Sequence, residues 1–246
     1  KELWTSRQSE AKPRLVTVKD EATQANYVVA QVLETREGGV PLKQQAVLFR
    51  TSSHSGPLEI ELTRRNIPFV KFGGLKFLDA AHIKDLLALL RWAENPRDRV
   101  AGFRVLQLLP GVGPGLAGKV LDAMDGAPNA HEALRLMPSP ARASGWDEMV
   151  AAVDGVAASA QWPAAFSVAR AWYEPVLEAA HEDAEVRKLD ILQLEQIAAG
   201  FPSRERFLTE LTLDPPDSTS DRSGVPLLDE DYLILSTIHS AKGQEW

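Results

Sequence analysis

The chain has 246 residues, of which 44% are hydrophobic and 25% are charged, and its net charge is -7. These values are typical of a globular protein with one or two cores, and no apolar run approaches the roughly 18 residues of a membrane helix. The absence of cysteine excludes disulfides, thiol catalysis and cysteine-based zinc sites. The first ten residues lack the pattern of an export signal, so we expect a cytoplasmic protein.

The charge is unevenly distributed along the chain. Residues 41–78 have a balance of +4 and residues 81–119 a balance of +3, whereas residues 121–200 have a balance of −8. DNA binding depends on local positive surface that faces phosphates, and not on the total charge. The basic stretches therefore either contact nucleic acid or form ordinary solvated faces, and charge alone leaves both interpretations open.

The first 72 residues alternate between strand and helix patterns. The predicted elements are a strand at 14–18, a helix at 20–37, a strand at 45–49, a helix at 56–66 and a strand at 67–72. Asp20 is a candidate N-cap of the first helix. The strand at 45–49 is almost continuously apolar, which is typical of a buried parallel strand. The alternation predicts an α/β unit with a parallel sheet.

From residue 82 to about residue 213 no segment has convincing strand character. Helical patterns recur at 83–94, 99–108, 115–124, 146–159, 164–180, 185–199 and 203–213. Strand character returns at 232–238, after a segment rich in Pro, Ser and Asp at 214–226 that is predicted to be a flexible linker. The simplest organisation is an incomplete α/β domain, residues 1–85 and 225–246, with an all-α domain, residues 86–224, inserted into it.

Four stretches closely resemble the UvrD/Rep/PcrA-type superfamily-one DNA helicases. They are AVLFRTSSHSGPLE at 46–59, IPFVKFGGLKFLDAAHIKD at 67–85, LLPGVGPGLAGKVLD at 108–122 and TIHSAKGQEW at 237–246, the last of which resembles motif V. They occur in the order found in that family, and the resemblance covers about residues 13–124 and 185–246. It implies a second RecA-like domain, part of which is missing, with a helical accessory domain inserted.

The resemblance also implies a function. The chain would be the C-terminal motor region of an ATP-dependent helicase that moves three-prime to five-prime on single-stranded DNA and unwinds duplexes, in DNA repair or recombination. Its partners would be single-stranded DNA, a duplex junction and a first RecA-like domain supplied by a longer parent chain. ATP and Mg²⁺ would bind the full-length protein, and no cofactor is expected to bind this fragment tightly.

Motif V carries the candidate nucleotide-binding residues. The resemblance assigns Gly243 and Glu245 to the nucleotide, and Thr237, His239 and Ser240 to single-stranded DNA. Glycine permits close backbone approach to a phosphate, and a glutamate can accept hydrogen bonds from ribose hydroxyls. The alternative for His239 is a loop histidine that is satisfied by its neighbours.

A second candidate DNA contact follows the strand at 45–49. Ligands of α/β sheets bind at the C-terminal ends of the strands, and an arginine there can bind phosphate or stack on a base. By resemblance, Arg50, Thr51 and Ser52 contact single-stranded DNA. The alternative for Arg50 is a salt bridge to a neighbouring carboxylate.

Gly111, Val112 and Gly113 form a Gly-apolar-Gly turn between two predicted helices, as in a helix-hairpin-helix. Its backbone N–H groups and the N-terminus of the following helix could hold a DNA phosphate, to which Lys119 could add a contact. The alternative is an ordinary tight turn that needs glycine for its dihedral angles.

The sequence predicts no catalytic residue in this fragment and no metal site. GPGLAGKV, residues 113–120, nearly matches a P-loop, but Val120 replaces the hydroxyl residue that would bind Mg²⁺, and a helix rather than a strand is predicted before it. The chain is therefore expected to be inactive alone. The alternative function is a non-catalytic helix-hairpin-helix DNA-binding or scaffold protein that retains a degenerate helicase half.

Overall fold

The structure is a computed structural model that describes residues 12–72, 76–212 and 231–242. Within these ranges three strands, β1 (Ala46–Phe49), β2 (Phe69–Phe72) and β3 (Leu233–Thr237), form one sheet. The order is β1-β3-β2, and both pairs are parallel. The predicted parallel sheet is confirmed, and the strand that is latest in the sequence occupies its centre.

Two helices cover the sheet region, α1 (Glu21–Glu37) and α2 (Gly56–Arg64). The Asp20 carboxylate accepts from the backbone N–H of Thr23 at 2.8 Å, which confirms Asp20 as the N-cap of α1. The buried apolar cluster of this part consists of Ala25, Val29, Val32, Leu42, Phe49, Leu58, Leu62, Ile67, Phe69, Leu233 and Leu235. We call this set the sheet cluster.

The strand predicted at 14–18 does not form. The backbone there joins no ladder, and Leu15 is 94% exposed. A strand is stabilised by cross-strand neighbours and by burial of one face. Among the described residues no strand pairs with this segment, so its apolar pattern alone does not produce a strand.

The rest of the described chain is helical, and residues 76–212 contain no strand. Its helices are α3 (Ala81–Glu94), α4 (Arg99–Leu106), α5 (Pro114–Asp125), α6 (Ala130–Leu136), α7 (Trp146–Ala158), α8 (Ala164–Ala180), α9 (Ala184–Ala199) and α10 (Arg204–Thr212). Seven of these agree with the predicted helices to within a few residues. The short α6 was not predicted, although Asn129 caps it by accepting from the backbone N–H of Glu132.

A second cluster of buried apolar residues, the helical cluster, extends from Ile60 and Phe77 through α3 to Leu211 on α10. Helix α2 contributes to both clusters, because Leu58 and Leu62 face the sheet whereas Ile60 faces the helices. The predicted domain boundary at residue 85 falls inside α3, and the predicted linker at 214–226 lies outside the described residues.

A buried polar contact joins three helices of the helical cluster. The Asp85 carboxylate on α3 accepts from Arg104 Nε on α4 at 2.6 Å and from the Tyr173 hydroxyl on α8 at 2.7 Å. Burial, together with the hydrogen bond to Asp85, raises the pKa of Tyr173 above its usual range. None of the helices in the described ranges is both long and apolar enough to cross a bilayer.

Candidate nucleic-acid interface

The C-terminal ends of β1 and β3 lie side by side. Phe49 is opposite Thr237 in the parallel register, and the N–H of Ile238 donates to the carbonyl oxygen of Phe49 at 2.9 Å. Because parallel strands end at the same edge, the loops that follow them are neighbours. The sheet therefore brings together two stretches that are far apart in sequence, since 189 residues separate Arg50 from His239.

The two loops meet at Arg50 and His239. Arg50 Nη1 lies 3.4 Å from His239 Nδ1, and both residues are exposed. A guanidinium can only donate, so His239 Nδ1 is the acceptor in this contact. Among the described residues the contact of Arg50 is with this histidine and not with a carboxylate.

The turn after β3 is held by its own hydroxyl groups. Thr237 Oγ1 donates to Ser240 Oγ at 2.9 Å and accepts from the backbone N–H of Ser240 at 3.2 Å. The N–H of Ala241 closes the turn on the Thr237 carbonyl at 2.9 Å. The Thr237 hydroxyl is thus used within the turn, whereas His239 is presented to solvent.

The loop after β1 is also ordered by a turn. Thr51 is exposed, and its carbonyl accepts from the N–H of His54 at 3.1 Å. The backbone of Ser52 begins a short 3₁₀ helix, Ser52–Ser55, that leads directly into α2. Arg50 and Thr51 therefore lie in the loop after β1, and His239 and Ser240 lie in the adjoining turn that begins at Thr237, the last residue of β3. That these residues contact DNA stays a prediction.

The predicted nucleotide residues Gly243 and Glu245 lie outside the described residues, so their role stays a prediction. Among the described residues no group of three or more His, Asp or Glu side chains could hold a metal ion. A cavity of about 430 Å³ opens between α1, β1 and α2, and His54 and Gln193 contribute to its wall. Its wall comes mostly from consecutive elements, residues 21–58, and Gln193 on α9 is the one lining residue from a distant segment.

In the Gly-Val-Gly turn, Gly111 and Val112 have structural roles. Gly111 has φ +85°, and a methyl group on its Cα would lie 1.7 Å from the carbonyl oxygen of Arg142. The Val112 side chain is buried, and its N–H donates to the carbonyl of Leu109 at 3.1 Å. The turn therefore needs glycine at 111 for its own backbone, whatever it binds.

Gly113 is different, because it is exposed and precedes α5 as its N-cap. Methyl groups at Gly113, Gly115 and Gly118 would meet no atom within 4 Å, and Lys119 is exposed on the same helix. The start of α5 is thus open on the side where a phosphate would bind. The segment before it is α4 and a turn, so residues 113–120 are not arranged as a strand, loop and helix.

Part of the positive charge of residues 81–119 is paired with carboxylates, some in the acidic stretch that follows and one within the same stretch. Arg99 pairs with Asp122 at 2.8 Å and also with Asp125, and Arg104 pairs with Asp85. Arg99 and Arg104 therefore bind protein carboxylates. These arginines are therefore better interpreted as part of a salt-bridged protein surface than as part of a DNA-binding surface.

Comparison with known proteins identifies the family. A profile of the UvrD-like helicase C-terminal domain matches residues 1–125. The chain belongs to this family. It is 33% identical over 121 residues to the ATP-dependent DNA helicase PcrA of Staphylococcus epidermidis (strain RP62A). It is 32% identical over 121 residues to the ATP-dependent DNA helicase PcrA of Staphylococcus aureus (strain Mu50).

Each of these matches covers 49% of this chain and 17% of the relative, so the chain corresponds to a small part of the curated relatives. The family resemblance is confirmed, and residues 1–125 contain three of the four stretches. The stretch at 237–246 lies outside the matched residues, so its resemblance to motif V stays a prediction. The family match includes α1, both early strands and the helices up to α5. It ends at residue 125, close to residue 124, where the first part of the resemblance inferred from the sequence also ends.

Proposed function

We propose that the chain is part of an ATP-dependent DNA helicase and that the adjoining loops after β1 and β3 bind single-stranded DNA. The observation that carries the proposal is the meeting of Arg50 and His239 at the C-terminal edge of the sheet. Both residues were predicted from motifs that are 189 residues apart. The family membership supports the same site.

The chemistry of these loops suits a single strand. The guanidinium of Arg50 can bind a phosphate or stack on a base, and the imidazole of His239 offers both a ring face and an N–H donor. Ser240 accepts from Thr237, so its own hydroxyl proton can donate to a phosphate oxygen. None of these contacts reads base identity, so the binding is independent of DNA sequence.

The complete motor would be formed with a first RecA-like domain in a longer parent chain. In that arrangement Gly243 would let the backbone approach the γ-phosphate, and Glu245 would accept hydrogen bonds from the ribose. ATP with Mg²⁺ would bind in the cleft between the domains, and its binding and hydrolysis would supply the free energy for closing and opening that cleft. Movement is three-prime to five-prime, in the service of DNA repair or recombination.

The helical part would contact the duplex ahead of the single strand. Gly113 and the open first turn of α5 offer backbone N–H groups, and Lys119 offers a cation one turn later. The alternative function, a non-catalytic helix-hairpin-helix protein, would place all DNA binding at this turn. The two functions therefore differ in whether the sheet edge contributes to DNA affinity.

The test is fluorescence anisotropy with a labelled oligo(dT) and with a forked duplex at several salt concentrations. Arg50→Ala and His239→Ala are expected to weaken oligo(dT) binding, each by roughly fivefold to tenfold, because each removes a phosphate or stacking contact. Arg50→Ala should also flatten the salt dependence by about one counterion. Lys119→Ala should weaken only binding to the forked duplex.

Arg36→Ala is the matched control. Arg36 is exposed near the end of α1 and lies 3.7 Å from Asp231, which precedes β3, so it is at the opposite edge of the sheet. Arg36→Ala removes one positive charge, as Arg50→Ala does, but it should leave the oligo(dT) affinity almost unchanged. Equal affinities for wild type, Arg50→Ala and His239→Ala, with all three proteins folded, would contradict the proposal. A loss confined to Lys119→Ala would favour the non-catalytic alternative.

A further inference from the structure

A buried ion pair lies directly behind the loops at the C-terminal edge of the sheet. Lys71 Nζ on β2 is 2.7 Å from Glu59 Oε1 on α2, and each side chain is only 2% exposed. Burying two charges costs desolvation energy, and an apolar pair of similar volume is often at least as stable. Stability alone therefore does not account for a carboxylate at this position.

The Glu59 carboxylate connects three segments of the chain. Oε1 accepts from the Ser55 hydroxyl at 2.5 Å as well as from Lys71, and Oε2 accepts from the backbone N–H of Phe77 at 2.5 Å. Ser55 ends the 3₁₀ helix after β1, Lys71 is on β2, and Phe77 begins the 3₁₀ helix that leads to α3. One side chain thus fixes the spacing between the loops that follow β1 and β2.

The loop held through Ser55 is the one that carries the candidate DNA contacts. Only four residues separate Arg50 from Ser55, and that interval is a tight turn closed by the hydrogen bond from His54 to Thr51. On its inner side Lys71 Nζ lies 6.0 Å from the ring centroid of Phe49, the residue before Arg50. A shift of Ser55 would therefore move the backbone on which Arg50 is mounted.

We propose that Glu59 is a positioning residue for single-stranded DNA binding. It does not touch DNA, but its links to Ser55 and Phe77 hold the Arg50–Ser52 loop in the geometry that meets His239. The inference rests on the proposed function. It predicts that DNA affinity depends on the two loop hydrogen bonds of residue 59 and not on its charge.

Two double variants separate these possibilities. Glu59→Gln/Lys71→Met removes both charges but keeps the links, because the amide oxygen can accept from Phe77 and the amide NH₂ can donate to Ser55. Glu59→Met/Lys71→Met also removes both charges and fills the same volume, but it breaks both links. Val153→Ala, in the buried core of α7, is a control that lowers stability without touching the sheet.

Oligo(dT) affinity is measured at a temperature where all variants are fully folded by circular dichroism. Glu59→Gln/Lys71→Met and Val153→Ala should bind as wild type. Glu59→Met/Lys71→Met should bind roughly tenfold more weakly, which is about the loss of one base contact. Hydrogen exchange of residues 50–55 should be faster in Glu59→Met/Lys71→Met than in the Gln variant.

Wild-type affinity and exchange in folded Glu59→Met/Lys71→Met would overturn the inference. Equal weakening in the two double variants would also overturn it, because the charge and not the hydrogen bonds would then matter. An effect of Arg50→Ala together with wild-type binding by both double variants would refute the role of Glu59 and leave the DNA-binding site standing. Binding that is insensitive to both Arg50→Ala and His239→Ala would refute the proposed function itself, even if the exchange difference were present.

Discussion

The two glycines of the Gly-Val-Gly turn have different structural surroundings. Gly111 has a positive φ and lies against the Arg142 carbonyl, whereas Gly113 has an extended backbone and open space around it. Both fit the Gly-apolar-Gly pattern equally well in the sequence. In the structure, Gly111 is needed to form the turn, whereas Gly113 leaves the surface of the turn open.

We therefore expect Gly111→Ala and Gly113→Ala to differ in stability. Gly111→Ala forces an L side chain into the left-handed region and against a carbonyl oxygen, and it should lower the free energy of unfolding by more than about 2 kcal/mol. Gly113→Ala changes only an exposed cap, and it should cost about 1 kcal/mol or less. Urea denaturation of both variants measures the difference, and equal costs would contradict this account of the turn.

The Tyr173 hydroxyl gives a prediction that depends on pH. Tyr173→Phe removes one of the two partners of the Asp85 carboxylate, and it should lower the free energy of unfolding by about 1–3 kcal/mol at neutral pH. The pKa of Tyr173 is raised in the folded protein, so its contribution is fully present below about pH 10, where the unfolded phenol titrates. Above that pH the contribution is lost progressively toward the folded pKa.

The difference between wild type and Tyr173→Phe should accordingly be constant from pH 7 to about pH 9 and become smaller at higher pH. Denaturant unfolding at a series of pH values measures it. A difference that grows with pH would mean that Tyr173 is ionised in the folded state.

The candidate site could be predicted residue by residue but not as a geometry. Arg50 and His239 each follow an apolar strand pattern, and the ends of parallel strands are where α/β proteins bind ligands. Their contact depends on β3 being the neighbour of β1, and strand order is not encoded in local pattern. The role of Glu59 could not be predicted for a related reason. A carboxylate on a short helix ordinarily indicates a solvated face, and the contacts of Glu59 come from segments that only the fold brings together.

At the level of elements, helix α1 shows how a sequence signal becomes structure. Asp20 accepts from both the hydroxyl and the N–H of Thr23, and these bonds, the hydroxyl first, hold the pKa of Asp20 below its usual range. Because the pKa is lowered in the folded protein, the cap stabilises the fold at pH values above the pKa of the carboxyl group in the unfolded chain. The stabilisation is lost as the pH falls through the folded value.

Asp20→Ala should therefore lower the melting temperature at pH 7, whereas Asp20→Asn, which keeps an acceptor for Thr23, should retain most of the stability. The deficit of Asp20→Ala should decrease below about pH 4, where the wild-type carboxylate is increasingly protonated. Thermal unfolding at both pH values measures this. A deficit independent of pH would show that the charge of the cap is unimportant.

Helices were easier to predict than strands for a physical reason. A helix satisfies its backbone hydrogen bonds locally, so the periodicity of 83–94 or 164–180 is close to sufficient. A strand needs a partner, and the segment at 14–18 has the composition of a strand but no neighbour among the described residues. The short α6 was missed because seven residues carry too little periodicity to stand out from a loop.

For the molecule as a whole, the chain is expected to lack ATPase activity by itself. No segment of its sequence combines a P-loop with a preceding strand, and the near match at residues 113–120 belongs to a helix that follows another helix. Purified chain with Mg²⁺, ATP and oligo(dT) should release no phosphate above the buffer rate. Turnover that is stimulated by DNA and survives repurification would contradict the assignment of the hydrolytic half to another domain.

The central position of β3 has a consequence for how the protein is made. About 160 residues separate β2 from β3, so at about 5–20 residues per second the ribosome takes roughly 8–32 s to deliver the strand that joins β1 to β2. During that interval the helices between β2 and β3 can fold through local contacts. The sheet cluster still lacks Leu233 and Leu235, and β1 and β2 both have unpaired edges because β3 is absent. Until β3 arrives, the α/β part of the nascent chain is thus the part that exposes unpaired strand edges.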